Sequence, residues 1–216
     1  MKKKELSLQA IYLNQMIEVR DRLIITQSFI ESYFTTGSVI EFDSAILQFR
    51  KALEATAYAS ISPNKIKYKS FRQKEKKSGD FTKDFKATAI FRYLEQINKD
   101  FYPTPILPPN KVSNRNWHYA LKENDFLTKK AFSSIYDRLG KFLHADNPWD
   151  NNNKHRENMA TDIKETIPKL FNLLELHATF IKEKNYSKVW IIKVPQNKLF
   201  APEIIEAIAS GDFFRE

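Results

Sequence analysis

The sequence predicts a mostly α fold, an antiparallel helical bundle with a small β element near the C-terminus. Three observations carry that expectation. Apolar residues recur at three- and four-residue spacing through five segments, the period of a buried helix face. Only 4 of the 216 residues are Gly, too few for a turn-dense β sandwich. After Asn185 the period changes, and Val189-Trp190-Ile191-Ile192-Lys193-Val194 reads as a strand stopped by Pro195.

The first helix is expected over 5–36, with Leu8, Tyr12, Met16, Val19, Leu23, Ile30 and Phe34 on one face and Thr36-Gly37-Ser38 as its end. A second starts at Asp43 as N-cap, runs on Ile46, Phe49, Leu53 and Ala57, and stops before Pro63. Residues 63–82 read as a basic connection. A third helix spans about 83–100, with Phe85, Ile90, Leu94, Ile97 and Phe101 inward. Pro103, Pro105, Pro108 and Pro109 bar helix from the next crossing, which leads to Trp117-His118-Tyr119.

Thr128 is the expected N-cap of a fourth helix carrying Phe132, Ile135, Leu139 and Phe142, which ends around His144. A fifth covers about 154–184 on Ile163, Ile167, Leu170, Leu174, His177 and Ile181, kinked at Pro168. A short terminal helix is expected over 202–209, with Pro202 at its start and Gly211 as its stop. The bundle then spans 1–186, and 187–216 packs on it as a strand or hairpin plus that helix. The strand needs a partner, either the Lys198–Phe200 segment or another chain.

Composition narrows the chemistry. Aromatic residues make up 13%, with 17 Phe, enough for a real core. Cys is absent, so thiol nucleophiles, disulfides, zinc ribbons and iron–sulfur sites are excluded. A formal charge of +9 favours polyanionic partners. Glu5, Gln9, Asn14, Gln15 and Glu18 interrupt any signal-type apolar stretch behind Lys2-Lys3-Lys4, and no run approaches the ~18 apolar residues of a spanning helix. The chain is therefore read as cytoplasmic, with no membrane partner. The four His residues, His118, His144, His155 and His177, show no metal-ligand spacing. There is no nucleophile elbow, Walker loop or dinucleotide fingerprint, and no metal or cofactor is expected.

One segment stands apart: Tyr136-Asp137-Arg138-Leu139-Gly140-Lys141-Phe142-Leu143-His144, followed by Ala145-Asp146-Asn147-Pro148-Trp149. Arg138 and His144 are six positions apart, about 600° of helical rotation, so they converge only if the helix breaks between them. Gly140 and the Asn147-Pro148 stop allow that. An Arg clamps phosphate and stabilises the charge of a pentavalent transition state. A His moves protons near neutral pH. RNA supplies its own nucleophile, the 2′-OH, so such a pair suits metal-free RNA cleavage. The acid and the base would come from two chains in a dimer.

Helices with Arg-x4–6-His near the end of one of them resemble the HEPN superfamily, and in particular its prokaryotic toxin and antiphage-defence ribonucleases. The resemblance covers roughly residues 40–185. Phe49-Arg50-Lys51-Ala52-Leu53-Glu54, continuing to Tyr58, is similar to the second helix of such proteins. It implies a HEPN-like bundle, metal-independent ribonuclease activity, Arg138 and His144 as the catalytic pair, and a homodimer. Its setting implies an antitoxin or defence-complex protein as a further partner. Asn147, Arg50 and Glu54 are candidate site support. Lys65, Lys67, Lys69, Arg72, Lys74, Lys76 and Lys77, interleaved with Tyr68 and Phe71, are the candidate RNA-binding patch.

Plainer readings stand beside these. Arg138 forms a surface ion pair, His144 favours a helix C-terminus, and Arg50–Glu54 is an ordinary i,i+4 pair. His177 belongs to the core, and Trp117-His118-Tyr119 packs as a loop cluster. The alternative function is a non-catalytic HEPN-like nucleic-acid- or protein-binding subunit of a defence complex. A third is a helical scaffold with a basic face.

Overall fold

A computed structural model describes residues 6–74, 80–114, 116–145, 149, 153–182 and 187–208. The chain is mostly helical, with a small antiparallel sheet. Two long helices, α1 (Leu8–Thr36) and α2 (Val39–Ile61), form an antiparallel hairpin. Ser7 caps α1 by accepting from the Ala10 N–H at 3.1 Å. Gly37 ends α1 at φ 69°, a left-handed conformation that glycine adopts without a Cβ penalty, and its N–H donates to Tyr33 O. Ser38 follows at once as the N-cap position of α2. The expected start with Asp43 as N-cap is thus corrected: the tight Gly37 turn lets the second helix be capped five residues earlier, at Ser38.

Past Ile61 a 3-10 turn, Ser62–Asn64, absorbs Pro63 and leads into α3 (Lys65–Lys74). The basic stretch expected as a connection is therefore a helix as far as Lys74. It presents Tyr68 and Arg72 to the interior. The next helix, α4 (Ala87–Ile97), is shorter than expected at both ends. Asp84 is held outside it by Arg72 and Tyr68. Asn98 ends it because its side-chain amide bonds Asn64 Oδ1 and Phe180 O. Phe85, expected inward, is exposed, whereas Ile90, Leu94 and Phe101 are buried.

Strands β1 (Thr104–Pro105), β2 (Asn110–Ser113) and β3 (Asn116–His118) occupy the Pro-rich crossing, and β2–β3 stand out as an exposed hairpin. Thr128 caps α5 (Lys129–Leu139) through a bond from the Ala131 N–H, as its sequence predicts. Next come α6 (Asn153–Leu174), β4 (Leu176–Lys182), β5 (Ser187–Lys193) and β6 (Glu203–Ile208). The sheet order is β1-β4-β5-β6, antiparallel throughout. Two expectations are corrected here. Residues 176–182, read as the end of the fifth helix, are strand β4. Residues 203–208, read as a terminal helix, are strand β6. β5 takes β4 and β6 as partners rather than Lys198–Phe200, and the β4–β5 hairpin straddles the expected boundary at 186/187.

Both faces of β5 are buried, which explains its unbroken apolar run. Trp190 and Ile192 join the main helical core, while Val189 and Ile191 form a second cluster with Ile106 and Ala178. Two polar contacts fix the sheet to α1. The buried Arg20 guanidinium donates to Phe200 O at 2.9 Å and holds the loop between β5 and β6. Tyr12 Oη lies 2.7 Å from His177 Nε2, and His177 Nδ1 lies 2.8 Å from Leu174 O. A carbonyl only accepts, so Nδ1 carries the proton and Tyr12 donates to Nε2. His177 is fully buried, as expected of a core residue.

Burial pushes the His177 pKa down to about 4 from 6.5. Between pH 6.5 and 4 the unfolded chain therefore takes up a proton that the folded chain refuses. The contribution to stability is complete above pH 6.5 and falls by about 3 kcal/mol as pH drops to 4. Urea denaturation at stepped pH is expected to show His177→Gln less stable than wild type at pH 7.5, yet with a flatter profile from 6.5 to 4. Parallel profiles would mean that His177 does not titrate in this way.

Candidate active site and basic surface

The carboxyl-terminal turn of α5 brings Arg138 to the surface. Tyr136 and Leu139 face inward, and Asp137 and Arg138 face solvent. The α-helix stops at Leu139, a 3-10 turn covers Gly140–Phe142, and His144 follows on an exposed bend. The helix therefore does break between Arg138 and His144, and both side chains are accessible. Arg138 is not idle: its Nη2 forms an ion pair with Asp162 on α6. Asn147 lies outside the described residues.

A polar cluster supports this turn from below. Arg50 and Glu54 of α2 pair at 3.2 Å, as their spacing predicts. They also share Tyr136. Arg50 donates to Tyr136 Oη at 2.8 Å and to Tyr136 O at 3.2 Å, and its guanidinium lies 4.1 Å from the ring centroid. Tyr136 Oη donates to Glu54 at 2.9 Å. Burial, reinforced by Glu54, pushes the Tyr136 hydroxyl up to about 12, so it stays a neutral donor. Arg50 thus holds both the side chain and the backbone of the residue two positions before Arg138. Beyond the turn, Phe142 packs edge-on against Phe42 at 5.3 Å and fixes the path toward His144.

The start of α6 adds charge at the same end of the molecule. Lys154 and His155 are exposed, and Arg156 is half-buried. Asp43 faces Arg156; burial raises its carboxyl pKa while Arg156 opposes the rise.

The expected RNA-binding patch divides. Lys67, Lys69 and Lys74 are exposed on α3, and Lys65 is half-buried. Lys76 and Lys77 lie outside the described residues. Arg72 corrects the expectation, because it is buried and has a structural role. It bonds Asp84 through Nε at 2.9 Å and Nη2 at 3.0 Å, and it stacks 4.4 Å from the Tyr93 centroid. Tyr68 donates to the same carboxylate at 2.8 Å. Period reading places 68 and 72 on one helical face, and that was the available signal. Asp162, which pairs with Arg138, and the bonding of Tyr136 to Arg50 and Glu54 had none.

His118 is exposed on β3 and His177 is enclosed, far apart in their roles. Among the described residues no group of three or more His or carboxylate side chains could hold a metal ion. Nor is any helix there long and apolar enough to cross a membrane. No family model, curated protein or solved structure matches the chain.

Two substitutions test this geometry. Asp84→Ala removes the carboxylate that Arg72 and Tyr68 share, and it should cost about 3–5 kcal/mol in urea denaturation, whereas Lys69→Glu should cost under ~0.5. Arg50→Lys keeps the charge and loses the planar fork. A loss of about 1–2 kcal/mol is expected, and an unchanged midpoint would show that Tyr136 does not need the fork.

Proposed function

We propose that the protein is a metal-independent RNA endonuclease with a HEPN-like helical bundle, acting in a toxin or antiphage-defence system. The observation that carries this reading is the end of α5 at Leu139, between Arg138 and His144, with both side chains exposed. An Arg and a His that shared one unbroken helix would point apart.

In this reading a backbone phosphate displaces Asp162 from Arg138. The guanidinium then offsets the charge that builds on the phosphorane oxygens. One His144 takes the proton of the RNA 2′-OH as its oxygen attacks phosphorus. The bond to the 5′-oxygen breaks, and that oxygen receives a proton from a second His144 supplied by another copy of the chain. The products are a 2′,3′-cyclic phosphate and a 5′-hydroxyl. Arg50, Glu54 and Tyr136 act through the backbone that carries Arg138. Lys67, Lys69 and Lys74 hold the strand by charge alone. Asn147 and the lysines at 76 and 77 are assigned the roles given by their sequence positions.

The Arg138–Asp162 ion pair favours a second reading. A guanidinium already neutralised by a carboxylate suits a non-catalytic subunit that binds nucleic acid or protein. Incubating wild type, His144→Ala and Arg138→Ala with total RNA in EDTA separates the two. The nuclease reading expects cleavage by wild type, a loss of at least about 100-fold in each variant, and nearly unchanged RNA affinity in His144→Ala. Folded wild type that binds RNA with steep salt dependence yet never cuts it would establish the binding subunit instead.

A further inference from the structure

Strand β6 closes one side of the sheet, and among the described residues no further strand pairs with its outer edge. The opposite edge, β1, is two residues long and contains Pro105, so it offers little to pair with. β6 pairs all six of its residues with β5 without a bulge, and it holds neither Pro nor Lys. Edges left to solvent are usually guarded by such devices.

The direction of each backbone group on β6 follows from the sheet. Val194 N–H donates to Glu175 O, extending the β4–β5 register by one pair. In an antiparallel ladder a residue turns its N–H and C=O to the same side, and successive residues alternate. Ile192 and Trp190 therefore bond β4, while Lys193, Ile191 and Val189 bond β6. Their registered partners Glu203, Ile205 and Ala207 face β5. Ile204, Glu206 and Ile208 turn their N–H and C=O groups to the open edge. The side chain of Ile205 is 58% exposed and that of Ile208 is 74% exposed.

The geometry points to a second copy of this chain as the occupant of that edge, paired antiparallel about a two-fold axis with Ile205 opposite Ile205. In that register Ile204 faces Glu206 of the other copy and exchanges both backbone bonds with it, twice over by symmetry. The central Ile pair is of the non-hydrogen-bonded kind, in which side chains approach most closely. Ile208 comes beside Pro202 of the other copy, whose carbonyl accepts from it. Shifting the centre to Glu206 would set carboxylate against carboxylate, although each is already engaged by Lys188 and Trp190. Centring on Ile205 avoids that opposition and places the exposed Ile205 side chains against each other. This contact is distinct from one centred on His144. β6 reaches Gln9 at the start of α1, whereas Phe142 packs on Phe42, which meets Tyr33 near the other end of that helix.

Sedimentation velocity on the full chain, from about 1 to 200 μM, tests the pairing. Wild type is expected to dimerise. Ile205→Lys and Ile205→Glu, each placing like charges face to face, should weaken dimerisation at least about tenfold while circular dichroism stays unchanged. An equimolar mixture of the two variants should recover the dimer, because only self-opposition at position 205 puts Lys against Glu. Ile208→Pro deletes an N–H that no β5 residue uses, and it gives an independent weakening if the charged variants misfold. Monomeric wild type, undiminished dimerisation of Ile205→Lys or Ile208→Pro, or a folded mixture that stays monomeric would each overturn the proposal. A ribonuclease that cuts RNA but fails these tests would leave the activity standing and this contact refuted.

Discussion

Burial of the stripe shared by α1 and α2 is the interaction on which the other parts are mounted. Tyr12, Met16, Val19, Leu23 and Ile30 on one helix meet Phe42, Ile46, Phe49 and Leu53 on the other, all essentially without solvent contact. Each such side chain contributes about 1.5–3 kcal/mol by leaving water. The two helices then divide the remaining work. α1 carries the sheet, through Tyr12 on His177 and Arg20 on the loop before β6. α2 carries the end of α5, through Arg50 on Tyr136 and Phe42 on Phe142. The candidate site and the sheet edge are thus positioned by one rigid hairpin, from its two sides.

Much of the helical layer was legible because its stripes are long and its ends are marked. Thr128 and Gly37 are local signals whose chemistry needs no distant partner. The two strands read as helix, β4 and β6, are each compatible with both periods. Residues four apart lie on the same face of a helix, and, four being a multiple of two, also on the same face of a strand. His177 and Ile181 satisfy both periods, as do Ile204 and Ile208. The sheet settles the matter, because β5 has backbone groups on two sides and each must be satisfied. That requirement belongs to the assembled fold and leaves little trace in a single segment. The shortening of α4 has a similar origin: Asp84 could have begun a helix, but it is taken by an arginine twelve positions back.

The candidate site was legible to about the same depth. Arg138 and His144 were singled out by residue type and spacing, and Gly140 with the downstream stop allowed the break that the structure has after Leu139. Asp162 was invisible, since its meeting with Arg138 depends on how α6 lies against α5. Arg72 shows the reverse error. In the sequence it is one of a row of cations, and only the position of Tyr68 one turn earlier hints that it faces inward. Charge counted along the chain overstates what a surface offers to phosphate when one member of the row is spent in the core.

The length of α1 has a geometric consequence. From Gln9, where β6 touches it, to Tyr33, near the packing that leads to His144, the helix rises about 36 Å. Self-recognition at both ends of a stiff rod, at β6 and at the candidate site, would share one two-fold axis only if that axis ran along the rod. Chains that used both about different axes would close into a dihedral assembly, a tetramer where the axes intersect at right angles, and would add end to end as a filament where the axes do not meet. In either assembly the spacing between successive candidate sites would be set by a single helix.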